Sequence, residues 1–591
     1  MRGFTKKDME ALRASGAFDA KWYLETYPDV KALGMDPLEH YLWIGKRLGR
    51  QPALNMRSPR ALTDFNAAPS SAAESGVDII IPVFNALDDV KRCLYSVIST
   101  INKNCRVIII NDGSDRFTKD WLQRFVACHR SVSLINNEKN LGYTRSINIG
   151  MHLSCADSVV ILNSDTIVTP NWIERLLACA YSSPSIGIVG PLSNAASWQS
   201  VPQLFDGQSF AVNNLPDGAG PSQMAQIVSD YSAKIYPRVS VINGFCFFIK
   251  RSVINTIGYF DEEFFPVGYG EENDYCIRAA AAGFELAVAD DCYVFHAKSR
   301  SFGHGARRKL SAEASEKLRK KYSAIVMERL VDVVRNSPEL KTVRALISEA
   351  LQKGRRVLDS INPFDLSVLF LLPSRGGGGG AHSVVQEVYQ LRQMGVRAAI
   401  AVPEAFIYDI RNAYTDLNDA AEMFICCNNE DINYLAITFD VVVATLYTTA
   451  SVVADIANKN DFILPAYYVQ DYEPFFFPNE PPRREEAERS YTLMRDCLLF
   501  AKTRWIIDTV KLRHDVHVHK VEPSIDTSVY RPNRRAYDGR VSVSAMVRPD
   551  GRRGAARTVR VLCRLAEALG SRPCGRIDSG IGLRIPRRNP V

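Results

Sequence analysis

Two aspartates in this 591-residue chain stand directly after apolar runs, where a carboxylate can do chemistry. Asp112 follows Arg106-Val-Ile-Ile-Ile, in Asn111-Asp-Gly-Ser-Asp115. Asp165 follows Ser158-Val-Val-Ile-Leu, in Asn163-Ser-Asp165. A third run, Val77-Asp-Ile-Ile-Ile-Pro-Val-Phe-Asn85, ends in a Pro/Asn turn. Carboxylates so placed suit a nucleotide and a hard cation, because Mg²⁺ is held by one or two carboxylates plus substrate phosphates. Further on, Gly270-Glu271-Glu272-Asn273-Asp274 sets acids ahead of a helical pattern from Tyr275 to Ala282. The helix dipole favours their charged form there, and an ionised carboxylate can accept a proton at neutral pH. His296, in Val294-Phe-His-Ala-Lys, follows another strand pattern and is either a structural histidine or a metal ligand.

The elements that must position these groups are strands covered by helices. Uninterrupted apolar runs alternating with helical segments such as Asp88 to Thr100 are the pattern of strands buried on both faces. In such sheets ligands gather at the carboxyl ends of the strands. The chain is too long for one core, and roughly 100–200 residues per domain predicts about three or four units. An apolar fraction of 46% argues against disorder. The net charge of +7 permits acidic ligands or an anionic membrane surface without demanding nucleic acid. The 13 cysteines show no CxxC pair or zinc spacing, so reduced cytosolic thiols are expected. Met1-Arg-Gly-Phe-Thr-Lys-Lys-Asp lacks a following apolar region, and no run of about 18 apolar residues occurs. A cytoplasmic protein is expected, with peripheral contact at the inner face of the membrane left open.

The expected organisation is an α/β multidomain chain. Residues 1–60 form a small helical, aromatic-rich module in which Asp36-Pro37 starts a helix. Residues 61–76 read as a linker, 77–305 as the first α/β unit and 306–360 as a charged, solvated helical connector. A second α/β unit covers 361–535, and 536–591 is an incomplete Arg-rich segment.

Taken in order, Ile81-Pro-Val-Phe-Asn85, Asn111-Asp-Gly-Ser-Asp115, Asn140-Leu-Gly-Tyr-Thr-Arg-Ser-Ile-Asn148, Leu162-Asn-Ser-Asp165 and Gly270-Glu-Glu-Asn-Asp-Tyr-Cys-Ile-Arg278 resemble the inverting glycosyltransferases of family two. The resemblance implies a GT-A fold that transfers a sugar from a nucleotide-sugar donor to a glycan or lipid-linked glycan acceptor, with Mg²⁺ or Mn²⁺ as cofactor. It places Pro82, Val83, Asn85, Asp112, Asn140 and Asn163 at the nucleotide, Asp112 reading the base. It makes Asp165 the metal carboxylate, with His296 completing the site. Glu272 becomes the catalytic base, with Glu271 as its competitor, and Trp198, Gly244 and Asp274 lie on the acceptor side. Asn163 replaces the family's first DxD aspartate, and Glu272 replaces its usual base aspartate.

In the second unit, Pro373-Ser-Arg-Gly-Gly-Gly-Gly-Gly-Ala-His-Ser383 follows a strand and opens a helix expected near Ser383; such a loop is either flexible or a phosphate cradle. Tyr468-Val-Gln-Asp-Tyr-Glu-Pro-Phe-Phe-Phe-Pro478 and Val521-Glu-Pro-Ser-Ile-Asp526 look like the N-terminal half of family-four GT-B enzymes, similar to bacterial rhamnosyltransferases of surface glycans. The expected function is therefore sugar transfer, with rhamnose a candidate, to a cell-surface polysaccharide such as O-antigen. The rival expectation is a non-catalytic glycan-binding or scaffolding protein with decayed transferase domains.

Overall fold

The computed structural model describes residues 76–297, 304–352 and 366–522 with short gaps, plus brief stretches near both ends. By its internal contacts the chain divides into two units, the larger running through Gln470 with Thr492–Phe500 added. That larger unit holds the first α/β sheet and most of the second.

The first sheet is built from β1 (Val77–Val83), β2 (Cys105–Asn111), β3 (Val132–Asn136) and β4 (Ser158–Leu162). A short β5 (Thr166–Ile167) follows, then β6 (Ile186–Leu192), the hairpin β7 (Phe205–Asp206) and β8 (Ser209–Phe210), and β9 (Arg238–Val239). The last strands are β10 (Cys246–Lys250), β11 (Glu285–Tyr293) and β12 (Phe295–His296). Across the main sheet the order is β3-β2-β1-β4-β10-β6-β11-β9. β1 to β4 pair in parallel, whereas β10 runs antiparallel between β4 and β6. Every residue of β1 and β4 is buried, as their continuous apolar runs require.

Tight turns fix the strand ends. Gly142 has φ 94°, and a Cβ there would lie 2.3 Å from the Pro266 carbonyl oxygen. Only glycine meets both demands, so this turn before the helix Tyr143–Leu153 can lie against the 266 loop.

The stretch expected to be a solvated connector is helical, in His304–Tyr322, Ala324–Asn336 and Pro338–Gln352, but it is not merely solvated. Val334, Leu340, Val343 and Ile347 lie in the core of the first sheet, and Leu330 packs on Ile277. The spacing Leu340, Val343, Ile347 is an apolar helix face that the surrounding charges mask.

The second sheet uses β13 (Ser367–Leu371), β14 (Arg397–Val402), β15 (Phe424–Cys426), β16 (Val441–Ala444), β17 (Leu464–Tyr468) and β18 (Leu498–Ala501). They pair in parallel in the order β15-β14-β13-β16-β17-β18. In sequence terms these six follow 3-2-1-4-5-6, the doubly wound dinucleotide-fold order with its switch point between β13 and β16, and a seventh short strand, His519–Lys520, lies beyond β18 at the edge. The helix after the glycine run starts at Gly379, four residues before the expected Ser383; glycine's poor helix propensity hides this first turn from a sequence reading.

In the N-terminal module, Asp36 caps Pro37–His40 by accepting from the Leu38 and Glu39 amides at 2.9 Å each. In the smaller unit, Tyr472 stacks on Tyr491. Near the C-terminus, Val541–Ser544, Gly580–Ile585 and Cys574–Asp578 pair antiparallel, strands that the sequence reading did not anticipate. The linker 61–75 and residues 523–540, which include most of the Val521–Pro532 motif, lie outside the described residues.

Candidate active site

β1, β2 and β4 deliver three loops to one end of the first sheet. Pro82 and Val83 close β1 in buried positions, and the chain then turns through Asn85 and Ala86 at φ 56° and 54°. Asn85 is held on both sides: its amide donates to Ser114 Oγ at 2.9 Å, and its Oδ1 accepts from the Asp115 amide at 2.8 Å. The buried Asp112 accepts from Asn137 Nδ2 and the Leu141 amide at 2.8 Å each, and from the Gly142 amide at 3.0 Å. A carboxylate offers about four acceptor positions, so one remains for a ligand. Asp112 therefore does a job that the sequence did not reveal, tying the 137–142 loop to β2. Gly113, at φ 72°, lets the Lys139–Asn140 backbone pass where a Cβ would come within 2.6 Å. Asn140 lies exposed on that loop.

The antiparallel pair β5–β12 brings His296 to Asp165 across about 130 residues of chain, with Nε2 3.3 Å from Oδ1. His296 Nδ1 lies 2.9 Å from the Ala195 carbonyl, which can only accept, so this nitrogen carries the proton. In the neutral ring the Nε2 lone pair then faces a carboxylate oxygen. A proton on Nε2, or a cation shared by both groups, relieves that opposition. Neighbouring ligands of an octahedral ion at about 2.1 Å lie roughly 3 Å apart, so the pair fits two corners of a Mg²⁺ or Mn²⁺ site. Among the described residues no cluster of three or more His, Cys, Asp or Glu side chains could hold a metal. The remaining ligands would have to come from substrate oxygens and water. Phe245 stacks on the His296 ring at 5.1 Å. Asn194 pins the His296 backbone from both sides, accepting from its amide at 2.8 Å and donating to its carbonyl at 3.1 Å.

Asn163 is linked to the opposite wall through Tyr143. The Tyr143 hydroxyl donates to Asn163 Oδ1 at 3.0 Å and approaches the Gly244 carbonyl at 3.5 Å. Burial, with the charges of Glu271, Glu272 and Asp165, raises the Tyr143 pKa well above the usual phenol value, so it remains a neutral donor. A Cβ on Gly244 would sit 3.4 Å from Glu272 Cβ, which puts this backbone directly against the acidic helix.

That helix spans Glu271–Ala281, starting four residues before the expected Tyr275, so the acids lie within its first turn. The two glutamates differ. Glu271 is 5% exposed and its Oε2 has no hydrogen-bond partner. Burial, then the charge of Glu272, raises its pKa well above the usual range. Glu272 is half-buried; Oε2 accepts from the Gly270 amide at 3.1 Å and Oε1 from Asn273 Nδ2 at 3.3 Å. Its pKa is also raised by burial, but these N–H groups oppose the shift and favour its charged form.

Asp274, expected on the acceptor side, is corrected by its surroundings. Its side chain is wholly buried, paired with Arg278 at 2.8 Å and Lys321 at 2.7 Å and bonded to the Tyr322 hydroxyl. It fastens this helix to His304–Tyr322 and has no face left for an acceptor. Trp198 is half-buried in the turn Ser197–Gln199, edge-on to Phe210 at 4.8 Å, with the Arg335 guanidinium 5.9 Å from its ring.

Sequence comparison meets this geometry at one domain. Residues 78–258 match the family described as Glycosyl transferase family 2. The matched range begins in β1 and carries Asp112, Asn163 and Asp165; Glu272 and His296 lie beyond it. An uncharacterized glycosyltransferase of Haemophilus influenzae is 28% identical over 114 residues, 19% of this chain and 35% of its own length. This chain therefore spans about a third of that relative. The N-acetylglucosaminyl-diphospho-decaprenol L-rhamnosyltransferase of Mycobacterium tuberculosis is 27% identical over 239 residues, 38% of this chain and 76% of that protein. Glycosyltransferase AglE of Haloferax volcanii is 22% identical over 236 residues, 38% of this chain and 68% of that protein. A solved mannosyltransferase from Pyrobaculum calidifontis, in complex with GDP-Man and Mn²⁺, is 13% identical at a TM-score of 0.33, covering 66% of this chain and 97% of that one.

Proposed function

We propose that the chain is an inverting glycosyltransferase that moves a sugar from a nucleotide-sugar to a glycan or lipid-linked glycan acceptor. The observation that carries this reading is the meeting of Asp165 and His296 at 3.3 Å in the family-2 fold, linked through Tyr143 and Gly244 to Glu272. Asp112 offers its remaining acceptor position to the base, and the Asn163 amide offers a donor to the ribose. Asp165 and His296 would hold the divalent cation, whose charge neutralises the leaving diphosphate. Glu272 accepts the acceptor hydroxyl's proton as that oxygen attacks the anomeric carbon from the face opposite the diphosphate, which inverts the centre. Glu271, its neutral form favoured by burial, adds no second negative charge. Trp198 offers an aromatic face beside the acceptor.

The kinship to the mycobacterial rhamnosyltransferase supports rhamnose as the first sugar to test and a lipid-linked or surface polysaccharide, such as O-antigen, as acceptor. A lipid-linked acceptor would bring the enzyme to the inner face of the membrane; among the described residues no helix is long and apolar enough to cross it. The parallel 3-2-1-4-5-6 sheet supports reading the second module as a GT-B-like half, an acceptor platform rather than a second active site. The test is hydrolysis and transfer by the full chain across a panel of nucleotide-sugars with Mg²⁺ or Mn²⁺. One donor turned over, with an inverted product, is the expected result. Binding of glycans without turnover of any donor would favour the non-catalytic rival.

A further inference from the structure

The second module meets the first at a buried carboxylate. Asp431, on the turn before the helix Ile432–Ala436, is 7% exposed and faces three side chains of the first module. Lys91 Nζ lies 2.7 Å from Oδ1, Trp121 Nε1 donates to Oδ2 at 2.8 Å, and the Tyr95 hydroxyl donates to Oδ2 at 3.3 Å. Lys91 also sits 5.7 Å from the Trp121 ring and 5.2 Å from that of Tyr434, whose hydroxyl donates to Asp88 at 2.6 Å.

These partners lie on two particular helices. Lys91 and Tyr95 are on Leu87–Thr100, which leaves β1 directly after Asn85 and Ala86. Trp121 is on Arg116–Cys128, which leaves β2 directly after the Asp112 turn and is capped by Asp115. One carboxylate of the second module thus grips both helices whose starts form the nucleotide loops. The first helix also carries the grip across to the metal side. Its other face receives the Asp165 segment: Cys93 Sγ reaches the Asn163 carbonyl at 3.5 Å, and Ser96 Oγ accepts from the Val168 amide at 3.0 Å. The helix is held between Asp431 on one side and the 163–168 segment on the other.

We infer that Asp431 is a positioning residue for the donor site, so that the second module sets the geometry in which the first binds its metal and nucleotide. This rests on the glycosyltransferase reading but goes beyond it, since Asp431 lies in the second module, apart from the residues assigned to donor and acceptor. A buried carboxylate that orders ligand-bearing segments acts like the outer partners of metal ligands, whose loss costs about 10–100-fold in metal affinity.

The test uses the full chain and measures Mn²⁺-dependent binding of UDP, GDP and dTDP by calorimetry, with Mn²⁺ alone followed by electron paramagnetic resonance. Asp431→Ala should weaken the Mn²⁺-dependent binding of the preferred nucleotide about tenfold or more. Asp431→Asn keeps an acceptor for Trp121 and Tyr95 while losing the charge beside Lys91, so it should fall between wild type and Asp431→Ala. If Asp431→Ala does not fold, the Asn variant decides alone. The control is Gln223→Ala, which removes the contact between Gln223 and Asp440 elsewhere on the same inter-module boundary without touching either helix. It should lower stability but leave Mn²⁺-dependent affinity unchanged. Equal weakening by Gln223→Ala, or wild-type affinity in folded Asp431 variants, overturns the inference. Asp165→Ala separates this from failure of the functional reading. If it too leaves Mn²⁺-dependent binding intact, the active-site assignment has failed; if it abolishes binding while Asp431 variants do not, only the positioning role has failed.

Discussion

Asp165→Ala should abolish sugar transfer and remove the metal-dependent part of nucleotide binding. The carboxylate lies at the β4–β5 end 3.3 Å from His296, and the two together could face a cation. A neutral imidazole alone cannot offset the charge of a divalent ion, so losing Asp165 removes the anion that faces His296. The expected loss is at least about 10³-fold in turnover, on the scale of removing a main electrostatic stabiliser. Excess chelator should reproduce it in the wild type. Full turnover in chelator, or in the alanine variant, would refute the metal site.

Glu272→Gln should reduce turnover by about 10²–10⁴-fold, the usual contribution of a positioned base, with donor affinity near normal. Glutamine keeps the shape and can still accept from the Gly270 amide, but it cannot take a proton. Glu271→Gln should be nearly silent, because burial and its neighbour raise the Glu271 pKa and favour its neutral form. The pH profile gives a second check. The Glu272 pKa is raised by burial, so its basic form is present above that raised value and is lost as pH falls through it. The acidic limb of kcat/KM should therefore lie above the ordinary glutamate value of about 4.3. If Glu271→Gln is the dead variant and Glu272→Gln turns over, the base is Glu271.

Local pattern carried much of this site into view. The strand ends of β1, β2 and β4, Asp112, Asp165 and the glutamate pair are all legible, because apolar runs and helix starts are written in consecutive residues. His296 could be placed near a strand end, and the β5–β12 pairing supplies its partner. What the sequence hid are relations between distant residues. Asp274 reads as one more acid at a helix start, and only Lys321 and Tyr322, nearly fifty positions on, show it to be part of the scaffold. Asp431 lies 310 positions from Trp121 and has no motif at all. Tyr143 stood within a quoted motif, yet nothing local says that its hydroxyl bridges Asn163 and Gly244.

The helix Pro338–Gln352 has a consequence for how the chain can be cut. A fragment ending near residue 305 would lose Val334, Leu340, Val343 and Ile347 from the first sheet's core. At about 1.5–3 kcal/mol for each buried aliphatic side chain, the loss rivals the whole stability of a typical domain. The first sheet's core thus extends into the helix Pro338–Gln352, well beyond Glu272 and His296 in the chain. Limited proteolysis should find 324–352 resistant wherever the first sheet is folded, and a 77–305 fragment should bind hydrophobic dyes and melt without a cooperative transition. Exchange of whole domains between related enzymes, by recombination or by design, would have to carry this helix along with the sheet that it seals.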